Sequence, residues 1–174
     1  MILIPQVAPS LASKAVLLVQ LDEAVHKDYC RLMADPVSRH FTGTTENFSD
    51  HQLLDWLSSR PGHQGRLDWA ILDPETNSLQ GEVVLNELDL ANESMNLRIA
   101  LFSDKLSRGI GSQALNLVVE YGLKVLNLRR ITLDVWTENH RAIRAYEKVG
   151  FTSQSKFTEG GREFWVMEVS NPQS

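Results

Sequence analysis

The sequence contains a single cysteine, Cys30, among its 174 residues. One thiol excludes an internal disulfide framework and any multi-cysteine zinc site, and it fits a reducing compartment. No apolar run approaches the ~20 residues that a membrane-spanning helix needs, and the first residues lack the basic segment of a signal peptide. We therefore expect a cytoplasmic protein with no membrane partner and no metal.

Basic residues are too few for a general nucleic-acid binder, because 17 Lys and Arg stand against 22 Asp and Glu. The imbalance lies in residues 1–103, which carry 7 basic and 14 acidic side chains, whereas residues 104–174 carry 10 basic and 8 acidic. This asymmetry is typical of two ordinary solvated faces, or of a protein that meets a cation on one side and an anion on the other. Length and a hydrophobic content of 43% predict one globular domain, residues 1–174.

The apolar periodicity predicts a mixed α/β sheet of the α+β kind, with the order β-α-α-β-β-β-α-β-α-β-β. One helix follows Asp22, a second begins at the capping box of Ser49 and Gln52, and a third runs from Asn139 to Gly150. The longest helix is predicted over 110–126. Strands are predicted over 15–21, 67–72, 80–88, 95–102, 131–136, 151–157 and 162–169.

The most informative segment is the glycine-containing loop before the longest helix. Gly109 and Gly111 let several amide N–H groups converge at a helix N-terminus, which suits a phosphate, although a plain strand-to-helix turn has the same composition. A P-loop is excluded because no Gly-Lys-Ser/Thr follows. A dinucleotide-binding fingerprint fits Gly109, Gly111, Ala114 and Asp134 literally. A polar loop precedes Gly109, however, and only 65 residues follow it, too few for a doubly wound sheet.

Two motifs together resemble the GNAT superfamily of N-acetyltransferases. The loop matches the family's Arg/Gln-x-x-Gly-x-Gly/Ala pattern, except that Leu106 holds the Arg/Gln position. Downstream, the family pattern Asn-x-x-Ala-x-x-x-Tyr-x-x-x-Gly-Phe is matched in register by Asn139, Ala142, Tyr146, Gly150 and Phe151. The resemblance is strongest over residues 95–169, and the chain length and late hairpin resemble the RimJ/RimL-like and spermidine N-acetyltransferase branch. It implies the GNAT acyl-CoA N-acyltransferase fold.

The resemblance implies that acetyl-coenzyme A is the donor and that the acetyl group passes directly to a primary amine. The amine could be a small molecule, a polyamine or a protein N-terminus, and the acidic N-terminal portion hints at a cationic acceptor. In the family, the two strands that flank the long helix splay apart and the pantetheine arm lies against one exposed edge. The implied donor-binding residues are Ile99, Leu101, Ser107, Arg108, Gly109, Ile110, Gly111, Ser112 and Asn139.

Tyr146 is the predicted general acid for the departing thiolate, because a phenol with an ordinary pKa near 10 stays protonated at neutral pH. It also falls on the inward stripe of its helix and could be a core tyrosine. Glu87 resembles a strand-end position that faces the acceptor in polyamine-acetylating relatives, and it is the predicted base. The alternatives are that Glu87 is an exposed strand-end carboxylate without a role, or that an ordered water is the base. Asn96 replaces a glutamate that many relatives carry, and an amide cannot act as a base.

Several interpretations stay open at this stage. The chain is either a transferase or a GNAT-fold module that binds acetyl-coenzyme A as a sensor without turnover, and it could form a homodimer. His40 and His140 match no family role and are predicted to be surface residues. Cys30 is predicted to be a small core hydrophobe.

Overall fold

The computed structural model describes residues 2–172, and it contains one eight-stranded sheet in the order β1-β2-β3-β4-β5-β6-β8-β7. Five α-helices cover the sheet. The strands are β1 (Leu11–Ala12), β2 (Leu17–Gln20), β3 (Leu67–Leu72), β4 (Leu79–Asp89), β5 (Ser94–Leu101), β6 (Arg130–Trp136), β7 (Thr152–Glu159) and β8 (Arg162–Ser170). The helices are α1 (His26–Ala34), α2 (Pro36–Thr42), α3 (Asp50–Ser58), α4 (Ile110–Glu120) and α5 (His140–Val149).

The predicted fold class is confirmed, but the predicted element order was incomplete because it omitted β1 and α2. β1 has two residues, too few for an alternating pattern. α2 has seven residues, too few for a helical stripe, although its start carries a local signal. Asp35 accepts hydrogen bonds from the backbone N–H groups of Val37 and Ser38, both at 3.0 Å, and Pro36 occupies the first turn.

Two other boundaries differ from the sequence prediction. Asp22 caps a short 3-10 turn, Glu23–Val25, so that α1 begins only at His26. The helix predicted over 110–126 is α-helical to Glu120 and then widens into a π-helical turn, Tyr121–Val125. The capping box of Ser49 and Gln52 is present as predicted.

The sheet carries a hydrophobic core on each face. On one face, α4 and α5 pack on alternate residues of the central strands, including the fully buried Val83, Leu85 and Ile131. On the other face, α1 and α3 bury Leu32 and Leu57 against β3. This strict alternation fixes the register, because a one-residue slip of any central strand would expose its apolar set.

The central strands β5 and β6 pair only at their beginnings. They are parallel, and Ser94–Asn96 align with Arg130–Thr132. Beyond Asn96 and Thr132 no pairing exists between them in the described chain, although β5 continues to Leu101 and β6 to Trp136. All other strand pairs in the described residues are antiparallel, which excludes the doubly wound dinucleotide-binding alternative.

A polar cluster lies beside the second core, beneath α1. Arg66 holds the carboxylate of Asp68 through two hydrogen bonds of 2.8 and 2.6 Å. The Tyr29 hydroxyl hydrogen-bonds to Glu82 of β4. Removal from water raises the pKa of Glu82 to about 7, against the opposing effect of the Tyr29 hydrogen bond and with the Asp68 charge raising it further. The fold therefore favours the protonated form of Glu82.

This environment predicts a pH-dependent stability. In the unfolded chain Glu82 ionises near its ordinary pKa of 4.5, but in the folded protein it ionises only near 7. Its favourable contribution to the free energy of unfolding is therefore fully present below about pH 4.5 and is lost as the pH rises through about 7. We expect Glu82→Gln to remove part of the fall in unfolding free energy over this window, on the order of 2 kcal/mol.

Urea unfolding at pH 5 and pH 7.5 measures this difference. The matched control is Glu75→Gln, which changes an exposed turn residue and should keep the wild-type pH dependence. A Glu82→Gln variant that follows the wild-type profile would contradict the assignment.

Candidate active site

The separated ends of β5 and β6 open into a cavity of about 1120 Å³. The loop before α4 lines one end of it, and α2 with the residues that follow lines the other. Side chains of β5, β6 and α5 form the walls between these ends. Because β5 has no partner on this side beyond Asn96, its backbone polar groups are free to pair with a bound molecule.

The loop that starts α4 is shaped to bind an anion. Ser107 and Gly109 have positive φ values of 60° and 79°, which turn the backbone sharply before the helix. α4 begins at Ile110 with no side-chain cap and no acidic residue in its first turn. Its first amide N–H groups therefore remain available, and the helix dipole adds partial positive charge at the same place.

One carboxylate fastens this loop region to α2. Besides capping α2, Asp35 accepts hydrogen bonds from the backbone N–H of Ser103 at 2.9 Å and from its hydroxyl at 2.8 Å. Burial acts to raise the pKa of Asp35, but the hydrogen bonds from Ser103, Ser38 and Val37 outweigh it and hold that pKa below the usual value. The two ends of the cavity thus share one anchoring residue.

α5 carries the two motif residues predicted to act at the donor. Asn139 caps the helix, because its side-chain oxygen accepts a hydrogen bond from the backbone N–H of Ala142 at 3.3 Å. Tyr146 is only 8% exposed, packs edge-on against Phe151 and also lines the cavity. Removal from water raises the pKa of Tyr146 to about 12, so its phenol is protonated at neutral pH.

Three carboxylates line the cavity. Glu87 is exposed and has a positive φ of 54°, at an irregularity in the pairing of β4 with β5 between Asn86 and Asp89. Burial raises the pKa of Asp134, and the negative charges of Glu87 and Glu159 raise it further. These three carboxylates therefore form one acidic cluster in a cavity whose lining also carries basic residues: Arg39, Arg98, Arg141, Arg144, Lys148 and Arg162.

An aromatic cluster that includes two residues of α2 lines the same cavity. The His40 ring lies edge-on to Trp136 at a centroid distance of 5.2 Å, and Phe41 lies 6.1 Å from the same indole. The Arg162 guanidinium covers Trp136 at 4.5 Å and donates a hydrogen bond to the His40 carbonyl oxygen. His40 is exposed, as predicted, and it also lines the cavity.

The structure brings together most of the residues predicted for the site. Nine of the eleven line the cavity. The two others do not, because the Arg108 side chain is exposed and Ile110 packs on the first core. Leu106 and Asn96, the two residues that differ from the family pattern, also line the cavity. The side-chain oxygen of Asn96 is buried and has no hydrogen-bond partner among the described residues.

Sequence reasoning missed Asp134 and Glu159 as members of the acidic wall, and it missed the aromatic cluster. Asp134 and Glu87 lie far apart in the chain and meet only across the sheet. The aromatic cluster depends on α2, which was not predicted. An adjacent His40 and Phe41 within a helix that starts at Pro36 is the one local signal for the aromatic cluster.

Residues 15–152 match the acetyltransferase (GNAT) domain family. The chain belongs to this family. The predicted enzyme class, an acetyltransferase, is thereby confirmed. Within residues 2–172, none of the helices combines the length and apolar character that crossing a membrane requires.

Named relatives and solved structures agree with the family assignment. A spermidine N(1)-acetyltransferase from Vibrio cholerae is 25% identical over 121 residues, 70% of this chain and 68% of that protein. The Escherichia coli K12 spermidine N(1)-acetyltransferase is 32% identical over 86 residues, 49% of this chain and 45% of that protein. The crystal structure of a Vibrio cholerae spermidine N-acetyltransferase with CoA and spermine has a TM-score of 0.82 at 19% identity. It covers 91% of this chain and 97% of its own, which shows the shared fold.

Proposed function

We propose that the protein transfers the acetyl group of acetyl-coenzyme A directly to a primary amine of a small polycation such as a polyamine. The observation that carries the proposal is that one cavity is lined by both an uncapped helix N-terminus and a cluster of three carboxylates, beside the free edge of β5. The relatives that act on spermidine support the same acceptor class.

The donor half uses the loop and the free strand edge. Amide N–H groups from Ser107 to Ser112 would hold the diphosphate, so Arg108 and Ile110 contribute through the backbone. The edge of β5 around Ile99 and Leu101 would pair with the amides of the pantetheine arm. The side-chain oxygen of Asn139 caps α5, which leaves its NH₂ group to contact the same arm.

The transfer itself needs two proton movements. The neutral amine attacks the thioester carbonyl, the new N–C bond forms, and the C–S bond then breaks. Tyr146 would donate its proton to the departing sulfur and recover one, through water, from the nitrogen, which must lose a proton to become the amide. The acceptor ammonium must first lose a proton, which Glu87, or a water held by Glu87 and Asp134, would take. Asn96 cannot take it, because an amide is not a base at neutral pH.

The acceptor half matches a molecule with more than one positive charge. Glu87, Asp134 and Glu159 lie close enough for the first and third to raise the pKa of the second, and a polycation would relieve this mutual repulsion. The rings of Trp136 and Phe41 already carry the guanidinium groups of Arg162 and Arg141, which shows that these aromatic surfaces suit cations.

Gly111→Asp tests the donor loop. The Gly111 backbone has an ordinary φ, and a Cβ there would contact only the flexible end of Leu101 at 3.3 Å, so the fold should survive. A carboxylate beside the diphosphate should abolish coenzyme A binding in calorimetry. The isosteric Gly111→Asn is the control for size, and it should bind more tightly than the aspartate variant. Unchanged affinity in a folded Gly111→Asp would place the donor elsewhere.

Tyr146→Phe tests the general acid and separates an enzyme from a sensor. The substitution keeps the ring that packs on Phe151 and removes one hydroxyl. Turnover should fall by roughly 10²–10⁴-fold. Coenzyme A affinity should change little, because one hydrogen bond is worth about 1 kcal/mol. Thermal melting checks the fold, and a stable variant with wild-type turnover would make Tyr146 a core residue only.

Glu87→Gln and Asp134→Asn test the acceptor wall. Each should raise the KM for spermidine, and Glu87→Gln should also lower kcat if it takes the proton. The KM for acetyl-coenzyme A should stay constant, since neither residue belongs to the donor loop. Glu138→Gln is the matched control, an exposed carboxylate beside α5 that does not line the cavity. If the control and the two wall variants had equal effects, the change in KM would follow from net charge alone and not from contacts in the cavity.

A further inference from the structure

A cluster of three potential metal ligands lies outside the cavity, where α1 contacts α3. His26 and Cys30 are four residues apart on α1 and therefore share one face of the helix. Asp50 is the first residue of α3. The Cys30 sulfur lies 3.2 Å and the His26 Nε2 lies 3.4 Å from the Asp50 Oδ1. One ligand atom from each residue lies within 4.8 Å of the other two.

These distances suit a tetrahedral metal ion. Zinc bonds of about 2.0–2.3 Å to nitrogen, sulfur and oxygen require ligand atoms about 3.3–3.6 Å apart. Two of the separations fall close to this range, and the Cys30 sulfur lies within 4.8 Å of a ring nitrogen of His26. Side-chain rotation that brings these two atoms to about 3.5 Å would complete the site. His26 and Cys30 are half-buried while Asp50 is exposed, which leaves a fourth position open to water.

We propose that His26, Cys30 and Asp50 bind one Zn²⁺ ion, with water as the fourth ligand. A thiol and an imidazole disfavour Mg²⁺ and Ca²⁺, which prefer oxygen ligands throughout. The single cysteine correctly excludes a multi-cysteine site, but a mixed site needs only one thiol from α1 and one carboxylate from α3. The assignment of Cys30 as a core hydrophobe is incomplete, because its sulfur also donates a hydrogen bond to Asp50.

The position of the site gives it a structural role. Cys30 and Asp50 bracket α2 and the residues that follow it, which form the acceptor end of the cavity. A metal ion bound to both α1 and α3 would hold the two ends of this segment together. Because the ion binds the folded chain, Zn²⁺ should raise the melting temperature.

The experiment uses the full chain, freed of metal, and titrates it with Co²⁺ and Zn²⁺. Since Cys30 is the only thiol, a thiolate-to-Co²⁺ absorption band can arise only from this residue. We expect one Co²⁺ per chain, displaced by Zn²⁺. We also expect Zn²⁺ to slow alkylation of Cys30 by iodoacetamide, a measurement that needs no variant.

Variants identify the remaining ligands. Cys30→Ser should abolish the Co²⁺ band, and His26→Gln and Asp50→Asn should each weaken Zn²⁺ binding by roughly 10–100-fold or more. His51→Gln is the matched control, because His51 pairs with Asp55 on α3 at 3.4 Å but has no thiol nearby; it should bind like the wild type. Absence of the band together with unprotected Cys30, or wild-type affinity in His26→Gln, would overturn the proposal.

Discussion

The structure depends on the loss of pairing between two adjacent parallel strands. Three residues of β5 pair with three of β6, and beyond Asn96 the strands separate. Each strand keeps its other neighbour, β4 or β8, so the sheet stays continuous while a gap opens at its centre. The backbone groups left along β5 would be costly if buried without a partner. The cavity gives them water or a bound molecule instead.

The gap also determines how charge is arranged. The loop and α4 follow directly from the end of β5, so free amide groups meet the gap on one side. The irregularity in β4 presents Glu87, and β6 presents Asp134, to the same cavity. The sequence asymmetry does not explain this arrangement, because Asp134 and Glu159 come from the basic second part of the chain.

Local patterns in the sequence predicted most of the helices and strands. The features that were not predicted depend on contacts between residues far apart in the chain. Helix caps involve residues within one helical turn. The capping box of Ser49 and Gln52 and the cap of α5 at Asn139 can therefore be recognised from the sequence alone. The positive φ of Glu87 has no such signal, because it follows from an irregular strand pairing. The acidic wall joins residues from three strands, and only the sheet order brings them together.

Protonation of Asp35 would affect two parts of the structure at once, namely α2 and the segment before the donor loop. One of its oxygens holds the first turn of α2, and the other holds Ser103 ahead of the donor loop. Its lowered pKa means that these bonds are intact above the ordinary pKa of an aspartate and are lost as the pH falls through the depressed one. A single proton on this carboxylate would therefore weaken the attachment of α2 and of the segment before the donor loop together.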